Sequence, residues 1–336
     1  MWMKQSKFSC GMVMAMIFLL AAPGMAAEFK MKITTVVGPP HPWIDASNYF
    51  AQKVAERSGG KIEVVLYDRG KLGNDSATLK ALRDGTVDLH IGGSANAATY
   101  VPELSFFNLG YLFEDQAHFE KVLRTTSPVF KDTAQIIEGK GLGFKVLSLT
   151  GGGLRNISNR LRPIRTVDDL KGIKMRVPGG KTAAQFWKAI GTLPVSLPWT
   201  EIYSAMQTGV VDAFESTVPG YYSAKLFEVT KYHSVSEHEF MLSVFFVSEK
   251  TFKKLSPDLK KIILEAGAEA GDVAMKSGVK QTKDLLEEIK GKGVDIHSVD
   301  KSGFIKASLP LQDEEANNLK LGNLLKEIRA LGSGRR

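Results

Sequence analysis

The chain has almost no cysteine. Its 336 residues include a single one, Cys10, which lies in an N-terminal segment that we expect to be removed. The remaining chain then has neither a disulfide framework nor a catalytic thiol. Residues 28–336 are enough to form a hydrophobic core that needs no cross-link, and their length suits two lobes of ordinary domain size.

Long apolar runs are also lacking. The run at residues 11–22 is shorter than the about 20 residues that a membrane-spanning helix needs. Two lysines precede it and small residues follow it: Lys4, Lys7, Gly24, Ala26 and Ala27. This pattern is typical of a signal peptide, so we predict that residues 1–27 direct export and are then cleaved off. Cys10 precedes the run, which argues against a lipid anchor.

The sequence has no concentrated charge of one sign. Its net charge is +8, but acidic and basic residues are interspersed, as they are in residues 53–57 and 283–288. It has no stripe of arginine and lysine interleaved with aromatic residues, so we predict no nucleic-acid partner. A mildly basic surface remains suited to small anions.

Common enzyme and cofactor motifs are incomplete. Residues 179–182, Gly-Gly-Lys-Thr, follow a predicted strand, but the first glycine of a phosphate-binding loop would fall at Met175. A dinucleotide fingerprint that begins at Gly141 fails in the same way, because Val146 takes the place of its third glycine. The six histidines show no metal-binding spacing. We therefore predict no cofactor, no metal and no catalytic residue.

Two segments of the chain nearly repeat each other. Residues 81–88 read Ala-Leu-Arg-Asp-Gly-Thr-Val-Asp, and residues 205–212 read Ala-Met-Gln-Thr-Gly-Val-Val-Asp. In both, apolar residues at helical spacing end at a glycine suited to a left-handed helix end, and a strand follows. The distance between the copies is that of a domain. The repeat therefore predicts two similarly built α/β lobes, with a ligand cleft between them.

Hydrophobic periodicity extends this pattern along the chain. Strands are predicted at residues 30–37, 62–67, 87–91, 143–149, 173–177, 195–197 and 210–214. Helices are predicted at residues 45–57, 75–84, 115–138, 181–190, 201–207 and 256–290, the last with a kink near Gly267 and Gly271. Such alternation predicts an α/β fold with parallel strands.

The glycine triplet at residues 151–153 marks the predicted crossing between the lobes. A run of β-forming residues at 230–248 is expected to bring the chain back. Lobe I would then hold residues 28–152 and about 242–281, and lobe II residues 153–241 and about 282–332.

Arg176 is the first candidate for a binding residue. In residues 172–178, Gly-Ile-Lys-Met-Arg-Val-Pro, strand alternation puts it on the face opposite the apolar residues, and Pro178 ends the strand just after it. It therefore lies at the carboxyl end of a strand, where open α/β sheets bind ligands. A guanidinium can hold a carboxylate through two parallel hydrogen bonds. The alternative is an arginine on a solvated edge strand, and periodicity alone does not decide between them.

Other residues join this candidate site. Arg155 follows the glycine triplet, where it is either a second cation for the same anion or a surface arginine. Glu215 and Ser216 end another strand, and Glu215 would orient Arg176, accept from a ligand hydroxyl or cap the next turn. Aromatic residues either line the pocket or belong to the core, and the pocket candidates are Phe214, Trp43 and Trp199. The predicted ligand-binding set is completed by Pro178, Ser94 and His238.

Six segments of the mature chain form a recurring pattern. They are Ser-Gly-Gly-Lys-Ile-Glu-Val at 58–64, Leu-Gly-Asn-Asp at 72–75, Gly-Thr-Val-Asp-Leu at 85–89, Asp-Asp-Leu-Lys-Gly-Ile-Lys-Met-Arg-Val-Pro at 168–178, Pro-Val at 194–195, and Glu-Ile-Tyr-Ser-Ala-Met-Gln-Thr-Gly-Val-Val-Asp at 201–212. In this order the chain resembles the solute-binding proteins of tripartite ATP-independent periplasmic (TRAP) transporters, of the dicarboxylate-binding type.

The resemblance implies a two-lobed periplasmic binding protein fold with a ligand cleft at the hinge and a long C-terminal amphipathic helix. It implies that Arg176 binds the carboxylate of a small organic acid and that Arg155 is a second, more variable arginine. It also implies a periplasmic location and delivery of the acid to a TRAP-type membrane permease.

The chain departs from this family at residues 213–216, which read Ala-Phe-Glu-Ser where the family often has Gly-Gln-Glu-Asn. Ser216 replaces an asparagine that often touches the ligand, and Phe214 adds apolar surface. The change predicts a ligand with one carboxylate and an apolar or aromatic body. Two alternatives remain open: a secreted α/β enzyme with Glu215 as its base, and a sensory binding protein that presents its closed form to a receptor.

Overall fold

The computed structural model describes residues 27–333, so nearly all of the predicted signal peptide lies outside it. The strands in this part of the chain are β1 (Phe29–Thr34), β2 (Ile62–Tyr67), β3 (Leu89–Gly93), β4 (Phe144–Asn159), β5 (Lys174–Val177), β6 (Leu193–Ser196), β7 (Ala213–Thr217), β8 (Tyr232–Ser248) and β9 (Asp295–Ser298).

The α-helices in residues 27–333 surround these strands. They are α1 (Pro42–Arg57), α2 (Asp75–Asp84), α3 (Ser94–Ala97), α4 (Gln116–Leu123), α5 (Pro128–Gly139), α6 (Lys181–Ala189), α7 (Ile202–Thr208), α8 (Val218–Ser223), α9 (Glu249–Lys254), α10 (Pro257–Gly291), α11 (Ser302–Asn318) and α12 (Gly322–Leu331). Of these described helices, none combines the length and the hydropathy of a membrane span.

All nine described strands join one mixed sheet. Its order is β2-β1-β3-β8-β4-β7-β5-β6, and β9 pairs with β8. Strands β1, β2 and β3 are parallel in the first half of the sheet, and β5, β6 and β7 are parallel in the second half. The long antiparallel strands β4 and β8 lie between these halves and connect them. The predicted parallel pairing is therefore confirmed within each half.

Both faces of the sheet are covered, as parallel strands require. In the first half, one apolar cluster joins β1 and β3 to α1 and α10, and a second joins the start of β4 and the end of β8 to α4, α5 and α12. In the second half, one cluster joins β5 to α6 and α11, and another joins β7 to α7 and α8. Each half therefore has its own core, and the space between the halves is free to hold a site.

The near-repeat folds in the same way in both halves. The helices α2 and α7 end at Gly85 and Gly209, whose φ angles of 77° and 75° are left-handed and favour glycine. After each glycine, three residues complete the turn before the strand begins. The strands therefore start at Leu89 and Ala213, two and three residues later than the apolar pattern predicts.

The predicted helix at 115–138 is wrong as a single element, because the structure divides it into α4 and α5. Pro128 is the first residue of α5, and Ser127 before it has an extended backbone with ψ 142°. Proline disfavours helical backbone in the residue that precedes it. The break therefore follows from Pro128, whose effect on the backbone is not part of the hydrophobic periodicity that predicted the helix.

The long helix α10 runs through Gly267 and Gly271 as one element of 35 residues. A Cβ atom at Gly267 would lie 2.7 Å from the Cβ of Leu147, and one at Gly271 would lie 2.7 Å from the Oγ of Ser148. These glycines therefore let α10 pack closely on β4, which is a reason for them in addition to the kink predicted there.

Candidate ligand-binding site

A cavity lies where the two halves of the sheet meet, and the empty space in it, together with the adjoining open solvent, is about 520 Å³. Its walls come from the carboxyl ends of β3, β5 and β7, from the middle of β4 and β8, and from the start of α1. Seven of the predicted binding residues line it: Trp43, Ser94, Arg155, Arg176, Pro178, Trp199 and Ser216.

Arg176 is buried in the wall of this cavity, with 1% of its surface exposed. Its strand β5 lies between β6 and β7, so the alternative of a solvated edge strand is wrong. Its Nε and Nη2 donate to the carbonyl of Leu197 at 3.0 and 2.8 Å, and its guanidinium lies 5.6 Å from the ring centre of Trp199. Within residues 27–333, its Nη1 has no hydrogen-bond partner.

The charge of Arg176 is not neutralised by a salt bridge with any residue in 27–333. Burial lowers the pKa of Arg176 to about 10, against the raising effect of Glu215 and Asp75, so the guanidinium stays charged at neutral pH. Two of its five donor hydrogens serve Leu197, and three remain. The cavity therefore contains a fixed, buried cation with free donors.

Arg155 lies on β4 and is already paired. Its Nε contacts Oε2 of Glu215, its Nη2 donates to the carbonyl of Glu215 at 3.0 Å, and its Nη1 lies 3.3 Å from the sulfur of Met241. Burial raises the pKa of Glu215, but the charge of Arg155 outweighs it and holds the value at about 2. The pair is therefore ionised and neutral overall.

This pairing corrects the sequence interpretation of Glu215. Its three expected roles are to orient Arg176, to accept from a ligand hydroxyl or to cap the next turn. The structure shows instead that it contacts Arg155 and is absent from the residues that line the cavity. Burial of Glu215 in the sheet, with 1% exposed, hides its carboxylate behind Arg155. Its structural role is to hold the guanidinium of Arg155 in place.

Phe214 and His238 also lie away from the cavity wall. Phe214 is fully buried in the core of the second half, where its ring centre lies 5.8 Å from that of Tyr221 on α8. His238 is buried against Trp187, and its Nδ1 is hydrogen-bonded to Ser236 at 2.9 Å. Because Phe214 does not reach the cavity, it gives no support to the predicted apolar or aromatic ligand body.

The sequence analysis missed Glu239, which lines the cavity from β8. Only 8% of it is exposed, and its Oε1 accepts a hydrogen bond of 2.9 Å from Asn108. Burial raises the pKa of Glu239 to about 8. No local pattern in residues 232–248 marks it, because its position depends on the pairing of β8 with β4.

A polar contact between the halves was missed as well. The backbone nitrogen of Gly179 donates to Oδ1 of Asn96 at 3.1 Å, and Nδ2 of Asn96 donates to Asp75 at 2.8 Å. Asn96 follows β3 and Gly179 follows β5, so this bridge joins the two halves at the edge of the cavity. Burial raises the pKa of Asp75 to about 6.

One group of side chains has the spacing of a metal site. Glu215, His238 and Glu239 each offer an atom, and these atoms lie within 4.8 Å of one another. The guanidinium of Arg155 already supplies the positive charge at Glu215. We therefore interpret the group as a polar cluster around Arg155.

The fold and the cavity together define a class of protein. Two α/β halves with separate cores meet at a cavity that contains a buried, unpaired cation, which is the arrangement of a binding protein that closes on an anion. Residues 33–318 match the family model described as bacterial extracellular solute-binding protein, family 7. The chain belongs to this family.

Named relatives agree with this family. The 2,3-diketo-L-gulonate-binding periplasmic protein YiaO of Escherichia coli is 31% identical over 263 residues, which cover 78% of this chain and 79% of the relative. The sialic acid-binding periplasmic protein SiaP of Vibrio cholerae is 27% identical, over 89% of this chain and 91% of the relative.

Solved structures are similar along almost the whole chain. A TRAP periplasmic solute-binding protein from Sulfurospirillum deleyianum with bound succinate has a TM-score of 0.85 and 29% identity, and covers 91% of this chain and 99% of its own. The sugar acid-binding protein DctPAm from Advenella mimigardefordensis with galactonate has a TM-score of 0.86 and 25% identity, covering 91% and 100%. The predicted family and two-lobed fold are confirmed.

Proposed function

We propose that this solute-binding protein captures a small organic acid in the periplasm and delivers it to a TRAP-type membrane permease. The observation that carries the proposal is Arg176, a buried guanidinium with three free donor hydrogens and no salt bridge within residues 27–333. An unpaired buried charge is unfavourable, and a carboxylate from the ligand compensates it.

The geometry around Arg176 favours a bidentate carboxylate. Leu197 and Trp199 hold the guanidinium from two sides, so its plane is fixed before the ligand arrives. A fixed plane reduces the ordering needed on binding. Exclusion of water from the cavity strengthens the ion pair, because the effective dielectric constant falls.

The relatives support the acidic ligand. YiaO is named for diketogulonate and SiaP for sialic acid, and the two solved structures contain succinate and galactonate. All four ligands carry a carboxylate. The structure with succinate is described as a TRAP protein, and both named relatives are periplasmic, which supports the permease partner and the location.

The lobe boundaries of the sequence analysis belong to this proposal. Lobe I would hold residues 28–152 and about 242–281, and lobe II residues 153–241 and about 282–332. Both β4 and β8 run continuously past these boundaries, and their pairing shifts register between Gly151 and Leu154. A bulge in a strand pair is a natural place for bending, so we propose the hinge there.

An enzyme that used the same cavity would need a base in reach of the ligand. Glu215, the base named from the sequence, is held by Arg155 and does not line the cavity. The family to which the chain belongs consists of solute-binding proteins. We therefore propose a binding protein without catalytic activity.

The test is calorimetric titration of the mature chain, residues 28–336, after refolding to remove copurified ligand. Succinate, galactonate, a 2-oxo acid and an aromatic acid would be compared with their amides. We expect at least one acid to bind, its amide to fail, and Arg176→Ala to lose at least about a hundredfold in affinity, because the other half of a buried charge pair is removed.

Arg83→Ala is the matched control, since Arg83 lies near the end of α2, is absent from the residues that line the cavity and has 41% of its side chain exposed. This variant should bind as the wild type does. Wild-type affinity in Arg176→Ala would contradict the assignment of the carboxylate to Arg176, and equal binding of acid and amide would contradict an acidic ligand.

A further inference from the structure

An acidic side chain in the wall of an anion-binding cavity needs an explanation. Glu239 lines the cavity, and its Oε1 accepts from Nδ2 of Asn108, whose amide is also hydrogen-bonded to Ser94. Its Oε2 has no hydrogen-bond partner among residues 27–333. One oxygen is thus fixed as an acceptor, and the other is free to carry a hydrogen.

The charges around Glu239 do not favour a second carboxylate. The titratable groups that face it are Arg155 on β4, Glu215 on β7, His238 on its own strand, and His41 and Arg176 across the cavity. Oxygens of Glu215 and Glu239 lie within 4.8 Å of each other, and the guanidinium of Arg155 is committed to Glu215 through two contacts.

Ionised Glu239 would therefore be a buried charge beside a like charge. It would share the attraction of Arg155 with Glu215 and would have no cation of its own within residues 27–333. The neighbouring histidines supply none: burial lowers the pKa of His41 to about 3 and also lowers the pKa of His238. Burial raises the pKa of Glu239 to about 8, opposed by Arg155 and supported by Glu215. The geometry and the charges both favour a protonated, neutral Glu239.

We infer that Glu239 is a specificity-determining residue, which stays neutral and donates its carboxyl hydrogen to an oxygen of the ligand, so that the cavity selects an oxo or hydroxy monocarboxylate. The inference rests on the proposed function, because it assigns the ligand's own carboxylate to Arg176. An acid that has no oxo or hydroxy oxygen besides its carboxylate leaves the hydrogen of Glu239 unpaired. Sites with a buried hydrogen-bonding group strongly reject ligand analogues that cannot pair with it. A dicarboxylate would bring a second negative charge close to that of Glu215, with no cation to compensate it, so we expect it to bind more weakly.

The affinity should then depend on pH in one direction. Binding needs the protonated form of Glu239, so the affinity for the acid has its full value well below pH 8 and falls as the pH rises above about 8. Arg176 stays charged over this range, because its pKa is about 10, and Asp75 titrates near 6, below it. Between pH 7 and 9, Glu239 is thus the group of this cluster whose protonation changes.

The experiment compares acids on one five-carbon skeleton: valerate, 2-oxovalerate, 4-oxovalerate and glutarate, with galactonate as a polyhydroxy acid. Each is titrated by calorimetry into the refolded mature chain in EDTA at pH 7 and pH 9. The variants are Glu239→Gln, which keeps a donor without a proton to lose, Glu239→Ala, which removes it, and Glu249→Gln, an exposed control on α9.

We expect an oxo acid or galactonate to bind at least about tenfold more tightly than valerate and glutarate. Wild-type affinity should fall by about tenfold for each pH unit above 8. Glu239→Gln should bind within about threefold of the wild type at pH 7 and show no such fall, Glu239→Ala should bind at least about tenfold more weakly, and Glu249→Gln should match the wild type.

A ligand-free measurement checks the protonation state separately. The infrared difference spectrum of wild type minus Glu239→Gln at pH 7 should contain the C=O band of a protonated carboxyl group, which disappears as the pH rises through about 8. A carboxylate band at pH 7 would overturn the inference, whatever binds.

The outcomes separate this inference from the proposed function. Acid binding that needs Arg176 but is independent of pH, prefers glutarate, or is lost equally in Glu239→Gln and Glu239→Ala would overturn the role of Glu239 alone. Binding that appears only when Ca²⁺ replaces EDTA would overturn it in favour of a cation at Glu239. Failure of the wild type to bind any acid would overturn both.

Discussion

The two near-repeats build the same scaffold and carry different chemistry. Asp88 and Asp212 close the two copies in the same way: their carboxylates accept from the backbone nitrogens of Lys32 and Lys174, at 2.8 and 3.3 Å, on the neighbouring strands. Their own backbone nitrogens donate to the carbonyls of the same two lysines. The shared residues thus fix how each helix–strand unit joins its half of the sheet.

The strands that follow the repeats differ where they reach the cavity. The first, β3, ends in Gly92 and Gly93, which add no charge, whereas β7 carries Glu215 and Ser216 near its end, close to the two arginines. The position six residues before each repeat also differs, since it is Asp75 in the first copy and Trp199 in the second. A repeat in this sequence therefore predicts architecture, and the residues that line the cavity lie outside both copies.

The largest effect should come from the charged end of β7. Glu215→Gln leaves Arg155 as a buried cation without its counterion, and we expect a loss of about 3 kcal/mol in the free energy of unfolding. Denaturant unfolding followed by circular dichroism measures it. The double variant Glu215→Gln with Arg155→Met should recover part of the loss, whereas Glu287→Gln, on the exposed face of α10, should change little.

If the double variant is no more stable than Glu215→Gln, the loss of stability does not come from the uncompensated charge of Arg155. The charged residues of β7 would then contribute no more to stability than the uncharged end of β3.

The second effect concerns the form of the cation at the end of β5. Arg176→Lys keeps the charge but replaces a planar fork by a point charge, so we expect the fold to persist and the affinity for the acid to fall by about 10- to 100-fold. Titration calorimetry measures the affinity, and near-UV circular dichroism checks the fold. Retained affinity would show that the positive charge alone binds the carboxylate and that two parallel hydrogen bonds are not needed.

Part of this comparison could be predicted from sequence because it is local. The glycine that ends each helix, the strand after it, and the proline that ends β5 behind Arg176 are all set by neighbouring residues. The same local logic placed Arg176 at a carboxyl strand end, and the structure shows that residue in the cavity wall.

The rest depends on the pairing of distant strands. Glu239 lies opposite Arg155 because β8 runs antiparallel to β4, and that pairing changes register on both sides of Arg155. Strand alternation cannot be extended through such irregularities. For the same reason the sequence could not show that Glu215 contacts Arg155, or that Phe214 is covered by Tyr221.

The third effect tests the position that precedes the first repeat. Burial raises the pKa of Asp75 from 3.8 to about 6, so its ionised form destabilises the fold at neutral pH. Asp75→Asn should therefore be more stable than the wild type by roughly 1 to 3 kcal/mol at pH 7, and the difference should shrink as the pH falls from 6 to 4. Thermal unfolding at several pH values measures this.

The sign follows from the raised pKa: the native state binds the proton more tightly than the unfolded state, so protonation between pH 6 and 4 stabilises the wild type and not the variant. A variant that is less stable at pH 7 would mean that the bond from Asn96 and the attraction of Arg176 outweigh the burial of the charge.

The smallest effect should be equal in the two halves. Asp88→Ala and Asp212→Ala each remove a carboxylate that accepts from a neighbouring strand, and each also removes a second partner, the hydroxyl of Thr251 for Asp88 and the guanidinium of Arg160 for Asp212. Each substitution should lower the free energy of unfolding by about 1 to 2 kcal/mol. Neither should change the affinity for the acid by more than about threefold, because both residues are absent from the residues that line the cavity. A loss of affinity from Asp212→Ala alone would mean that the second repeat contributes to the site as well as to the scaffold. A larger loss of stability from Asp212→Ala would be explained by its ion pair with Arg160.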